Sequence, residues 1–123
     1  MIKIRRVGIT GANGSIGRVL MSGLSDEFEL KAFSRREVEF PTTLVHFDRA
    51  REVQGVFDGL DAVIHLAADP SPMAPWERVR EHNIEAMYNV VEECVRARVR
   101  RLVFASTNHR SEEHTSELQS QFR

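Results

Sequence analysis

The segment Thr10-Gly11-Ala12-Asn13-Gly14-Ser15-Ile16-Gly17 sets three glycines three residues apart, between an apolar run and an amphipathic one. Such a turn has weight because of its position, at a strand-to-helix junction, rather than because of its glycines alone. Gly11 suits a tight turn, Gly14 lets the backbone approach a pyrophosphate with no side chain in the way, and Gly17 lets the helix lie close to the sheet. Free N–H groups at the helix start would then face the phosphates at the positive end of a helix dipole. Asn13, Ser15 and Ile16 join the three glycines as candidate cofactor contacts.

The rest of the chain agrees with that junction. Apolar runs alternate with amphipathic stretches, the pattern of a parallel sheet whose strands are joined by crossover helices. The expected fold class is α/β, a parallel sheet of five strands with crossover helices. The expected strands are Arg6–Ile9, Glu29–Phe33, Leu44–Phe47, Ala62–Leu66 and Leu102–Ala105. The fourth, nearly all apolar, reads as buried on both faces. Three helices are expected between them. The first turns Ile16, Val19, Leu20 and Leu24 inward, and the second is striped by Val53, Val56, Phe57 and Leu60. The third runs from Asn83 to Ala97 with Ile84, Met87, Val90, Val91, Cys94 and Val95 inward. Arg98 falls where a helix turning into a strand takes the left-handed conformation. The fifth strand is expected to leave an exposed apolar edge.

Composition excludes several classes. The chain has 123 residues, 17 basic against 18 acidic, and one cysteine, Cys94. A single cysteine forms no internal disulfide or cysteine-based metal site, and it reads as a small core residue. No metal site is expected. Balanced charge gives no footprint for nucleic acid. No apolar run approaches the roughly 20 residues of a membrane helix, so no membrane partner and a cytoplasmic location are expected.

Residues 110–123 stand apart. Arg110-Ser111-Glu112-Glu113-His114-Thr115-Ser116-Glu117-Leu118-Gln119-Ser120 has no periodicity that joins it to the preceding strand. It resembles, codon for codon, the conceptual translation of a short-read sequencing adapter. The expected organisation is therefore an incomplete nucleotide-binding domain over 1–109, followed by a non-native tail over 110–123.

Further motifs follow the glycine turn in order: Phe47-Asp48, His65-Leu66-Ala67-Ala68, Asn83 at the head of the third helix, and Val103-Phe104-Ala105-Ser106-Thr107. As a set they resemble the extended branch of the short-chain dehydrogenase/reductase superfamily, the NAD-dependent epimerase/dehydratase family. The family resemblance implies a Rossmann-type doubly wound parallel sheet truncated after its fifth strand, in the order 3-2-1-4-5. The resemblance implies that Asp48 contacts the adenine amino group, that Leu66, Ala67 and Ala68 line the cofactor with Asn83, and that Thr107 is the catalytic hydroxyl. Thr107-Asn108-His109 is similar to the Ser-Asn-His segment of uronate dehydrogenases, which implies substrate contacts from Thr107, Asn108 and His109. Ser71 is a further substrate candidate, because its loop follows the fourth strand at the carboxyl edge, where open α/β sheets place ligands. Trp76, in the same loop, reads as a hydrophobic anchor.

The cofactor expected is NADP or NAD. An NAD site needs a carboxylate at the end of the second strand, and this chain has Ser34 there, followed by Arg35 and Arg36. Guanidinium groups suit a 2′-phosphate, so NADP is favoured, with Glu37 as the residue that could restore NAD preference.

The resemblance implies hydride transfer with a Tyr-x-x-x-Lys pair beside the hydroxyl of Thr107. Tyr88, Lys3 and Lys31 form no such pair, so the chain as written is expected to be inactive, and Tyr88 reads as packing or surface. The expected function is the N-terminal part of an NAD(P)-dependent oxidoreductase on a small-molecule sugar or sugar acid, its parent a candidate homodimer. The alternatives are a nucleotide-sugar epimerase or dehydratase, and a non-catalytic NADP-sensing protein of the same fold.

Overall fold

A computed structural model describes residues 3–66 and 76–105, with side chains in the last helix described from His82 onward. The elements run β1 (Arg6–Thr10), α1 (Ser15–Leu24), β2 (Glu29–Ser34), β3 (Thr43–Leu44), α2 (Ala50–Val53), β4 (Ala62–His65), α3 (Trp76–Arg96) and β5 (Arg101–Phe104). All four strand pairings are parallel, as the alternating pattern predicts, and the order is β3-β2-β1-β4-β5, as the family resemblance implies.

Successive side chains of a strand point to opposite faces, and here each face has its own core. Val7, Ile9, Ala32 and Ala62 pack on one side with Leu20 and Met21 of α1. On the other side Phe33 and Val63 meet Phe47, Phe57, Ala86, Val90 and Cys94. The rings of Phe33 and Phe57 meet edge-on at 5.5 Å, the favourable geometry for two quadrupoles.

The helices differ from the sequence reading in which face they bury. In α1, Ile16 and Val19 are exposed, and the inward stripe is Gly17, Leu20, Met21 and Leu24. The close approach at Gly17 sets the rotation: a Cβ there would lie 2.4 Å from the Gly11 carbonyl oxygen. In α3 the buried side is Ala86, Asn89, Val90, Glu93 and Cys94, while Ile84, Tyr88, Val91 and Val95 are exposed. The buried polar groups decide that rotation. Glu93 accepts a hydrogen bond from the Phe57 N–H at 3.0 Å, and Asn89 donates to the Phe47 carbonyl at 2.9 Å. An amide or carboxylate bonded inside outweighs one more buried Val.

Two boundaries also move. The second helix, expected to end at Gly59, ends at Val53, because Gly55 takes a φ of 89° and leaves the helical region. Phe57 and Leu60 are still buried, carried inward by turns. The third helix begins at Trp76, not Asn83, since residues 76–82 contain neither Gly nor Pro to break it. Asn83 therefore lies inside α3 rather than at its head. The third strand is shorter than expected, only Thr43–Leu44.

Arg98 takes a φ of 59°, and Val99 N–H donates to the Cys94 carbonyl at 2.9 Å, closing α3 in the left-handed turn expected there. On the edge strand β5, Val103 and Phe104 are 54% and 49% exposed, the expected apolar edge.

Candidate functional site

In a parallel sheet every strand delivers its following loop to the same edge. The glycine turn after β1, Ser34-Arg35-Arg36 after β2, Asp48 beyond β3 and Leu66 after β4 therefore gather at the carboxyl edge.

The glycine turn is tied to both neighbours. Ala12 N–H donates to the Phe33 carbonyl at 3.1 Å, and a Cβ on Gly11 would come within 3.0 Å of the Leu66 carbonyl oxygen. Gly11 has a φ of 66°, so glycine is required there by conformation as well as by space. Gly17 is required by the helix-to-turn contact described above. Gly14 is different. It has φ −77° and ψ 172°, open to any residue, and a Cβ would lie at an ordinary 3.4 Å from the Gly11 carbonyl oxygen.

Gly14 caps α1 and no side chain caps the helix with it. Its own N–H closes the turn onto the Gly11 carbonyl at 3.1 Å, and the first helical bond is Arg18 N–H to the Gly14 carbonyl at 2.9 Å. The N–H groups of Ser15, Ile16 and Gly17 open the helix with no preceding turn to donate to, and Gly14, Ser15 and Ile16 are all exposed. Asn13 is half-buried, and its carbonyl accepts from Arg18 Nε at 3.0 Å. Arg18 also pairs with Glu39 and lies over the Phe40 ring, so it fastens the turn to the loop beyond β2. Nothing in the sequence beyond its place one helical turn after Gly14 marks Arg18 for this.

At the end of β2, Ser34 is buried and its hydroxyl donates to the Arg36 carbonyl. That bond closes a small turn and leaves Arg35 and Arg36 exposed beyond it. Glu37 is exposed in the same loop. Asp48 is partly buried, with Oδ2 3.4 Å from His82 Nδ1 on α3. Asn83, beside His82, is half-buried.

Thr10 and His65 end β1 and β4 side by side. His65 is buried, stacked on Phe104 at 5.9 Å and edge-on to Phe47 at 6.0 Å. Burial lowers its pKa from 6.5 to about 4, which keeps the ring neutral. Cys94 is buried and its thiol is pushed up to about 11, first by burial and then by the Glu93 charge, as suits a core residue.

The structure thus brings Gly11, Asn13, Gly14, Ser15, Ile16, Gly17, Arg35, Arg36, Asp48 and Leu66 to one edge. Ala67, Ala68, Ser71, Ser106, Thr107, Asn108, His109 and the segment 110–123 lie outside the described residues, as does the side chain of Trp76. Among the described residues no helix is long and apolar enough to cross a membrane.

Comparison with known proteins agrees with this geometry. Residues 7–121 match the family model described as the NAD dependent epimerase/dehydratase family. L-arabinose 1-dehydrogenase (NAD(P)(+)) of Haloferax volcanii is 41% identical over 85% of this chain and 41% of its own length. Uronate dehydrogenase of Pseudomonas putida is 30% identical, over 85% of this chain and 41% of its own. The structure of a mutant uronate dehydrogenase from Agrobacterium tumefaciens complexed with NAD superposes with a TM-score of 0.75 at 28% identity, covering 87% of this chain and 42% of that one. The chain spans about two fifths of the length of the curated relatives it matches. From the glycine turn, the parallel order of the strands and these matches together, the chain belongs to the NAD dependent epimerase/dehydratase family.

Proposed function

We propose that this chain supplies the dinucleotide-binding part of an NAD(P)-dependent oxidoreductase acting on a sugar or sugar acid. Gly14 carries the reading. Gly11 and Gly17 are explained by the turn itself, whereas Gly14 has neither strain nor crowding to explain it. A methyl group there would meet only the Gly11 carbonyl oxygen within 4 Å, and it would stand at the helix start, where a pyrophosphate would meet the N–H groups. The residues present fit the group: a glycine cradle, N–H donors at a helix start that no side chain caps, and Arg35 and Arg36 at the ribose end.

NADP is the favoured cofactor, since Ser34 is turned inward and two guanidinium groups follow it. Glu37 is the residue that would serve the ribose hydroxyls of NAD instead. Asp48 would accept from the adenine amino group, with Leu66, Ala67, Ala68 and Asn83 completing the wall. The bound nicotinamide would supply the hydride acceptor. Thr107 would hold the substrate oxygen by its hydroxyl, and Ser71, Asn108 and His109 would bind substrate hydroxyl and carboxylate groups. The names of the arabinose and uronate dehydrogenases support that substrate class.

The 123-residue sequence contains no Tyr-x-x-x-Lys, and on this reading it binds cofactor without turnover. The exposed stripe Ile84, Tyr88, Val91 and Val95, at helical spacing on α3, supports a second copy of the protein as a partner. Residues 110–123 are read as a non-native tail.

Calorimetric titration of the 123-residue chain with NADP+ and with NAD+ tests the reading. Saturable binding of one or both, NADP+ tighter, is expected; no heat from either would overturn it.

A further inference from the structure

The segment beyond β3 is held more firmly than a solvent-facing corner requires. The His46 N–H donates to Glu52 Oε1 at 3.0 Å, and Arg49 pairs with the same carboxylate at 3.1 Å. The Arg49 N–H closes a turn onto the His46 carbonyl at 3.0 Å. From the far side, buried Asn89 donates to the Phe47 carbonyl at 2.9 Å. One residue on, His82 Nδ1 approaches Asp48 Oδ2 at 3.4 Å. His82 and Asn89 are seven residues apart, two helical turns on one side of α3. They grip consecutive residues, one by its backbone and one by its side chain.

We infer that His82 is a positioning residue for base selection: its imidazole, in ion-pair contact with Oδ2 of Asp48, biases Oδ1 toward the bound purine. The inference rests on the proposed role of Asp48 at the adenine. A carboxylate fixed in advance loses little freedom on binding, and one oriented acceptor distinguishes an amino group from a carbonyl. The ligand edge selected is therefore one that presents an N–H donor, as the 6-amino group of adenine does. Hypoxanthine has a carbonyl oxygen at that position and would set acceptor against acceptor.

The His82 side chain is 54% exposed, so replacement leaves the core intact. The 123-residue chain and its His82→Leu, His82→Gln and Asp48→Asn variants would be titrated with NAD+ and with nicotinamide hypoxanthine dinucleotide. The unchanged chain is expected to prefer the adenine form by roughly tenfold, the worth of one charge-assisted hydrogen bond. Leu at 82 should weaken NAD+ binding and leave the hypoxanthine form nearly unchanged, collapsing the ratio toward unity. Gln at 82, which still offers an N–H to the carboxylate, should restore most of it. A ratio unmoved by His82→Leu, or an equal loss for both ligands, overturns the inference while the cofactor reading stands. A ratio unmoved by Asp48→Asn removes Asp48 from the adenine and the inference with it. Failure of the unchanged chain to bind either dinucleotide overturns both.

Discussion

Thr10 and His65 are locked together across the β1–β4 pair, with Thr10 Oγ1 2.7 Å from His65 Nδ1. The same hydroxyl accepts the Leu66 N–H at 3.1 Å, so one oxygen serves both the ring and the backbone of the next residue. One side chain thereby fixes the start of the glycine turn to the strand end that carries Leu66. Thr10→Val keeps the shape and removes both bonds, leaving two polar groups without this partner. A loss of about 1–3 kcal/mol is expected, read as a lower urea midpoint with unchanged slope. An unchanged midpoint would contradict it.

His65 also makes stability depend on pH. Its folded pKa of about 4 lies below the unfolded 6.5, so the unfolded chain binds the proton more readily. The contribution of this histidine is complete above 6.5 and is lost as pH falls from 6.5 toward 4, by about 3 kcal/mol in all. Urea titrations across that range should show His65→Gln with a flatter profile than the unchanged chain. Parallel profiles would contradict the assignment.

Gly23 lies in the last turn of α1, and a methyl group on its Cα would meet nothing within 4 Å. Its helical neighbours leave open space on that side. Gly23→Ala should stabilise the chain by about 0.5–1 kcal/mol through reduced unfolded-state freedom, raising the thermal midpoint. A lowered midpoint would mean that the packing of α1 differs from that described.

How much of the molecule is legible in its sequence varies with the kind of signal. The strands, the glycine turn and the left-handed Arg98 can be read because each depends on local chain geometry, whereas strand order joins residues far apart in sequence and follows from the family resemblance. The inward faces of α1 and α3 cannot. Ile16, Val19, Ile84, Val91 and Val95 recur at helical spacing and read as core, but rotation is set by the Gly17 contact and by the bonds of Asn89 and Glu93. The second helix is shortened by Gly55, whose positive φ leaves no trace in an apolar pattern. At the site, His82 and Arg18 are illegible because each acts on a residue distant in sequence or on a backbone carbonyl. Thr107, Asn108, His109 and Ser71 rest on the sequence alone.

Arg36 is the simplest lever on cofactor choice. Its carbonyl is held by Ser34 while its side chain is exposed. Arg36→Ala should weaken NADP+ by roughly tenfold or more, the worth of a charged hydrogen bond, and leave NAD+ nearly unchanged. Equal changes in both affinities would place the 2′-phosphate elsewhere.

On the proposed reading, Gly14 is glycine for the sake of a dinucleotide and Gly17 for the sake of the fold. The decisive measurement is therefore paired: thermal unfolding and NADP+ titration of Gly14→Ala and Gly17→Ala beside the unchanged chain. Gly14→Ala, at the N-cap of α1, should lose no more than about 1 kcal/mol of stability and bind NADP+ at least tenfold more weakly, whereas Gly17→Ala, whose methyl meets backbone at 2.4 Å, should lose stability first and by more. A Gly14→Ala chain that binds NADP+ as tightly as the original would contradict that division of roles and the cofactor site built on it.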